Sequence, residues 1–172
     1  LCEDFVRDKD AVSACAILAE IAAWAKDQNI TMYQLLQNIY VQYGFSKEKG
    51  ISVVKKGKSG AEEIEAMMKN FRENPLQEIA GSKVSLFYDY ASLKGYSYSD
   101  NETITLDMPT TSNVLQYFTE DNTKVSIRPS GTEPKIKFYC EVHSKVNSLE
   151  DLPEAEKAAE EKINQIKASL GI

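Results

Sequence analysis

No stretch of the 172-residue chain reaches the roughly 20 consecutive apolar residues that a membrane-spanning helix needs. No basic segment followed by an apolar core marks a secretory signal either, so neither membrane insertion nor export is expected. Cysteine is scarce: Cys2, Cys15 and Cys140 are odd in number and widely scattered, without the paired spacing of a zinc site or a disulfide framework. A reducing cytoplasm is the expected compartment. Basic residues are also in deficit, with 20 Lys and Arg against 26 Asp and Glu and a formal net charge of -6. A broad nucleic-acid surface, which needs cations in excess to displace phosphate counterions, is therefore not expected. His143 is the only histidine, and spacing identifies no Ser or Cys partner for it. Internal repeats and low-complexity runs are missing, and no two acidic residues are set by the sequence as an acid and base pair. Leu1 stands where Met would begin a complete chain, which raises the expectation that the chain was cut from a longer one.

What is present is the composition of a globular protein, 42% hydrophobic and 27% charged. Asp8 to Asp27 reads as a helix capped by Asp8 or Asp10. Val12, Cys15, Ala16 and Ala19 line one face, and Ile17, Leu18, Ile21 and Trp24 make the other face apolar too. Such a helix expects neighbours on most sides. Thr31 to Gln34 has capping-box spacing and opens a second helix through Leu35, Leu36, Ile39 and Tyr43 that stops at Gly44. Phe45 to Lys56, with its Ile51-Ser52-Val53 alternation, reads as a bridging strand or linker. Ser59 to Asn74 reads as a third helix, with Ser59 and Glu62 as a capping box and Ile64, Met67, Met68 and Phe71 on one stripe.

After Pro75 the apolar period falls to two. Val84, Leu86, Tyr88 and Tyr90 alternate, as do Ile104, Leu106 and Met108, then Val125 and Ile127, then Ile136, Phe138, Cys140 and Val142. Asp121-Asn122 suits a turn between strands at Val114–Phe118 and Lys124–Arg128. A last helix follows Pro153, with Ala155, Ala159, Ile163, Ile166 and Leu170 as its stripe and Gly171 as its stop. From about Lys58 onward the pattern predicts an α+β domain, an antiparallel sheet with helices packed on one face. The first 44 residues offer two apolar helices with no sheet to cover, and self-association through residues 10–44 is expected of them.

The segment that concentrates chemistry is Arg128-Pro129-Ser130-Gly131-Thr132-Glu133-Pro134-Lys135, set between two predicted strands. Its prolines stiffen the ends. Gly131 permits backbone angles closed to other residues, so that successive amides could converge on an anion beside the Ser130 and Thr132 hydroxyls. Arg128 adds a planar fork of donors that matches phosphate oxygens, and Lys135 and Lys137 add charge. Three cations against Glu133 leave a local charge of +2 in an acidic chain, which suggests a specific small phosphate. The plainer alternative is a hairpin turn with solvated lysines. Gly57-Lys58-Ser59 resembles the end of a P-loop, but the required upstream glycine falls at Ser52, and helix capping explains Ser59 better. Tyr88, Tyr90, Tyr96 and Tyr98 are read as strand packing and not as base-stacking platforms.

Val125 to Tyr139 closely resembles the phosphate-binding loop and flanking strands of the C-terminal domain of the alpha-D-phosphohexomutases, the phosphoglucomutase and phosphomannomutase family. Asp4 to Val12 is similar to the segment that follows the sugar-binding loop of the third domain of these enzymes. The resemblance implies a helical remnant of an α/β domain three at residues 1–44, a linker or bridging strand at 45–57, and a TBP-like domain four at 58–172. It implies that Arg128, Ser130, Gly131, Thr132 and Lys137 hold the non-transferring phosphate of a sugar bisphosphate. Lys9 would face the cleft and take part in proton transfer. The complete enzyme would move a phosphoryl group between the 1- and 6-positions of a hexose through a phosphoserine, with Mg2+. The serine loop, the metal-binding Asp-rich loop and the sugar loop have no match in this sequence, so the chain alone is expected to be inactive. The competing expectation is a stand-alone module that binds a sugar phosphate without catalysis.

Overall fold

The structure, a computed structural model, describes residues 8–172. Its residues divide into two compact units, one comprising the chain up to Gly44 with Lys145–Leu152, the other Phe45–Ser144 with Pro153–Ile172.

The first unit is helical. Helix α1 spans Ala11–Asp27, and Asp10 caps it by accepting from the Val12 and Ser13 amides. The Ser13 side chain, followed by these two amide bonds, holds the Asp10 carboxyl below its usual range. Helix α2 spans Met32–Tyr43 and begins with the capping box read from sequence, Gln34 N donating to Thr31 Oγ1 at 3.1 Å and Thr31 N to Gln34 Oε1 at 2.8 Å. Ala25 is the one buried residue of α1, and α2 has none. Val12, Leu18, Trp24, Tyr33, Leu36, Ile39 and Tyr43 are all exposed.

The second unit is an antiparallel sheet with two helices on one face. Its strands are β1 (Phe45–Val54), β2 (Glu78–Ile79), β3 (Ser82–Asp89), β4 (Lys94–Ser97), β5 (Glu102–Thr105), β6 (Leu115–Thr119), β7 (Lys124–Pro129) and β8 (Lys135–Ser144). They lie in the order β1-β8-β7-β6-β3-β4-β5, with β2 paired to β3. Helices α3 (Gly57–Glu73) and α4 (Leu152–Leu170) cover the face formed by Leu115, Tyr117, Val125, Ile127, Ile136, Phe138, Cys140 and Val142, all wholly or almost wholly buried. Phe71 of α3 meets Phe138 edge-on with ring centroids 6.0 Å apart, and the buried Tyr117 hydroxyl donates to the Phe71 carbonyl at 2.7 Å. From α4, Ile163 and Ile166 are fully buried, and Glu160 binds Lys47 of β1 at 3.0 Å. Burial pushes the Cys140 thiol up to about 11, so it is an apolar filler and not a nucleophile.

Several expectations shift. The segment read as linker or bridging strand is a ten-residue edge strand, in register with β8 from Phe45↔Ser144 to Val54↔Lys135. The Ser59–Glu62 capping box does not form: α3 starts at Gly57, and its cap, Lys56, makes no side-chain bond. Gly60 is already within the helix, its amide donating to the Lys56 carbonyl at 3.2 Å, and it packs so close to Lys55 that a Cβ would lie 2.7 Å from the Lys55 Cβ. The helix thus begins three residues before the start that the box implies, and Ser59 and Glu62 fall inside it. In β3 a bulge between Val84 and Leu86 breaks the strict alternation, so Val84, Phe87 and Asp89 are buried while Leu86 and Tyr88 are only half-buried. Strand β5 ends at Thr105, leaving Met108 exposed.

Candidate phosphate-binding loop

Arg128 is the next-to-last residue of β7 and Lys137 the third of β8, and the sheet register sets them directly opposite one another. Their neighbours Ile127 and Phe138 form the next pair and are fully buried under the helices. Since side chains alternate across a strand, Arg128 and Lys137 project from the opposite, uncovered face. Cross-strand pairing thus brings together two cations nine positions apart in sequence. Ser52 of β1 lies opposite Lys137 on its other side.

Backbone bonds brace the connecting loop. The Ser130 amide donates to the Lys135 carbonyl at 2.7 Å, and the Lys135 amide to the Glu133 carbonyl at 2.7 Å. From outside the hairpin, the Lys55 amide donates to the Pro134 carbonyl at 2.9 Å. The sequence reading missed this last tie, because nothing in the residues after β1 reveals which loop they will meet. Thr132 N makes only a long contact with Ser130 Oγ, at 3.4 Å. The amides of Gly131 and Glu133 and the Thr132 hydroxyl have no hydrogen-bond partner among the described residues. Gly131, Thr132 and Glu133 are exposed.

Gly131 is not in the left-handed region, contrary to the argument that its angles are closed to other residues. A Cβ there would meet nothing within 4 Å. Its lack of a side chain instead leaves the backbone open to close approach.

The loop's charges are of two kinds. Lys135 Nζ lies 2.7 Å from Glu133 Oε2, and this bond, with the nearby charges of Lys135 and Lys137, holds the Glu133 carboxyl below the usual range. Arg128 and Lys137 form no ion pair or hydrogen bond among the described residues. The local +2 counted from sequence therefore resides on these two side chains. The exposed loop thus sets unpaired donors beside two unpaired cations, a combination suited to an anion with several oxygens.

Other candidates are placed elsewhere. Lys9 belongs to the helical unit, where it forms an exposed ion pair with the adjacent Asp8 at 3.5 Å. Residues 4–7, the first four of the nine in the Asp4–Val12 similarity, lie outside the described residues. His143 Nε2 lies 2.9 Å from Glu141 Oε1, whose other oxygen accepts from Lys124 at 2.9 Å. These three line an open depression of about 410 Å³ with Ser85, Phe118 and Thr119, and a second one of about 450 Å³ includes Gln77, Lys83 and Tyr98. Neither depression reaches the loop. Tyr88 and Tyr90, and Tyr96 and Tyr98, meet edge-on as packed strand neighbours.

Comparison with known proteins adds an independent line. The family described as phosphoglucomutase/phosphomannomutase, C-terminal domain, matches residues 51–159, a span that contains the whole loop. The chain belongs to this family. Among curated phosphoglucomutases, that of Staphylococcus haemolyticus is 34% identical over 143 residues, covering 83% of this chain and 26% of the relative. One from Staphylococcus aureus is 36% identical over 157 residues, covering 87% of this chain and 28% of the relative. The chain thus spans little more than a quarter of the length of these phosphoglucomutases. Among solved structures, the open form of the exocytosis-sensitive phosphoprotein pp63/parafusin, a phosphoglucomutase from Paramecium, aligns with 98% of this chain and 29% of its own. The identity is 18% and the TM-score 0.45.

Proposed function

We propose that the second unit is the phosphate-holding domain of a cytoplasmic phosphohexomutase, and that Arg128, Ser130, Gly131, Thr132 and Lys137 grip the phosphate of the sugar that is not being transferred. The observation that carries this reading is the pairing of two uncompensated cations, Arg128 and Lys137, beside the unpaired amides of Gly131 and Glu133. In a reaction that moves a phosphoryl group between the 1- and 6-positions of a hexose, the bisphosphate intermediate must present either end to the catalytic serine. A fixed cradle for the other phosphate holds each orientation in line, and binding energy from the non-reacting group supplies positioning. Arg128 contributes the bidentate contact, Lys137 a point charge, and the Ser130 and Thr132 hydroxyls short hydrogen bonds.

Among the described residues no group of three or more His, Cys, Asp or Glu side chains is arranged to hold a metal ion. The residues present therefore do not fit the Mg2+ that the resemblance implies for the complete enzyme, and the role proposed for this chain includes no metal step. Lys9 is a proton-transfer residue of the complete enzyme and takes no part in holding phosphate.

Titration with inorganic phosphate, followed by amide NMR, tests the grip. Shifts should centre on Ser130–Glu133, and Arg128→Ala should weaken binding tenfold or more, since a charge-assisted hydrogen bond contributes about 1.5–3 kcal/mol. Shifts that map elsewhere would refute the site. A coupled assay with glucose 1-phosphate should give no turnover by this chain alone, and turnover abolished by Arg128→Ala would refute the restriction to phosphate holding.

A further inference from the structure

Glu133 is the one acidic side chain between Arg128 and Lys137. It sits where the reading above brings a phosphate dianion, a placement that like-charge repulsion opposes. The loop's shape does not demand a carboxylate there. The Ser130 to Lys135, Lys135 to Glu133 and Lys55 to Pro134 bonds are all backbone bonds, which other side chains at position 133 would leave in place. What the carboxylate does is bind Lys135, at 2.7 Å, and leave Arg128 and Lys137 as the uncompensated charges. Glu133 is 61% exposed at the side chain and Lys135 only 23%, so the acid reaches inward from the loop to a lysine held against the sheet.

We propose that Glu133 is the built-in counter-ion of the loop, neutralising Lys135 so that phosphate is held by two cations instead of three and remains exchangeable. This inference rests on the reading of the loop as a phosphate site and assigns its regulation. An intermediate that must leave the cradle and return in the other orientation is served by intermediate affinity, because overly strong ground-state binding slows release. The bond from Lys135 keeps Glu133 ionised through the pH range in which a phosphate monoester is a dianion, so the repulsion acts whenever the ligand is present.

The test is a double-mutant cycle on the whole chain, with inorganic phosphate as the probe at low ionic strength and loop amide shifts as the readout. Removing one unit charge several ångströms from a dianion in a largely aqueous setting should change affinity about three- to tenfold, with salt reducing the effect. Glu133→Gln should therefore tighten binding by that factor, Lys135→Gln should weaken it by a similar factor, and the double variant should return close to the parent. If Glu133 is instead a strut that shapes the loop, both single variants weaken binding and the double variant recovers nothing, which overturns the counter-ion role while leaving the phosphate site intact. If no protein, parent included, shows phosphate shifts at Ser130–Glu133, the phosphate reading itself fails and the counter-ion role with it.

Discussion

Phe138 and Trp24 are both large aromatic residues on regular elements, yet Phe138 is fully buried and Trp24 is 53% exposed. The same contrast runs through the two units. In the sheet unit, every apolar stripe of α3, α4, β7 and β8 meets a facing stripe from the same unit, whereas α1 and α2 carry stripes of comparable length that bury almost nothing. Periodicity records which face of an element is meant to be covered, but it does not supply the cover. The sheet unit also ties its elements together through side chains, as in the Lys162–Asp121 pair between α4 and the β6–β7 turn and the Arg72–Asp89 pair at 3.2 Å between α3 and β3. Among the described residues, the one ion pair within the helical unit joins the neighbours Lys9 and Asp8.

The most direct way to break this comparison is to truncate both aromatics. Phe138→Ala should cost about 3–5 kcal/mol of unfolding free energy, the range for a buried phenylalanine. Trp24→Ala, measured dilute enough for the chain to be monomeric, should cost less than about 0.5 kcal/mol, as exposed substitutions generally do. Urea unfolding measures both, and comparable losses would show that Trp24 is covered in solution.

A chain beginning at Phe45 should come next in effect, keeping the sheet and its phosphate response while losing self-association, because α1 and α2 carry most of the exposed large apolar side chains. Light scattering on the two chains decides, and a monomeric full-length chain would contradict it. A start near Ile51 would remove the six β1 residues Phe45–Gly50 from their pairing with β8. It should be measurably less stable than the Phe45 start.

The smallest effect sharpens the role of side-chain ties. Burial opposes ionisation of Asp121, but hydrogen bonds from Lys162, Thr119 and Thr123 together outweigh it and hold the carboxyl well below the ordinary range. A carboxylate whose pKa is lower folded than unfolded adds stability above its unfolded value, about 3.9, and loses that contribution as pH falls towards its folded value. Asp121→Asn should cost about 1 kcal/mol at pH 7, a figure discounted for partial exposure. The gap to the parent should narrow as pH drops below about 4, and a gap independent of pH would count against the ion pair.

Much of this was legible from residues alone. The alternation of Ile136, Phe138, Cys140 and Val142 marks a covered strand and nothing else, and the Thr31–Gln34 spacing formed the cap it signalled. What failed were inferences from a local signal that the folded backbone did not use. Ser59 and Glu62 have the spacing of a capping box, but the helix is already under way there, with Gly60 N bonded to the Lys56 carbonyl. Val84, Leu86 and Tyr88 have the period of a strand face, but pairing with β6 is registered through a bulge. Gly131 suggested a left-handed turn that the braced loop does not adopt.

The sequence by itself determined the kinds of elements, the covered faces of α3, α4, β7 and β8, and the concentration of donors between Arg128 and Lys137, because these depend on periods of two and 3.6 residues and on side-chain chemistry. Only the tertiary structure decided which charges in that segment are free. Pairing across β7 and β8 set Arg128 opposite Lys137 on the open face, while the turn of the loop brought Glu133 onto Lys135. Cancellation between charges depends on distances of a few ångströms in space, and sequence separation does not report them.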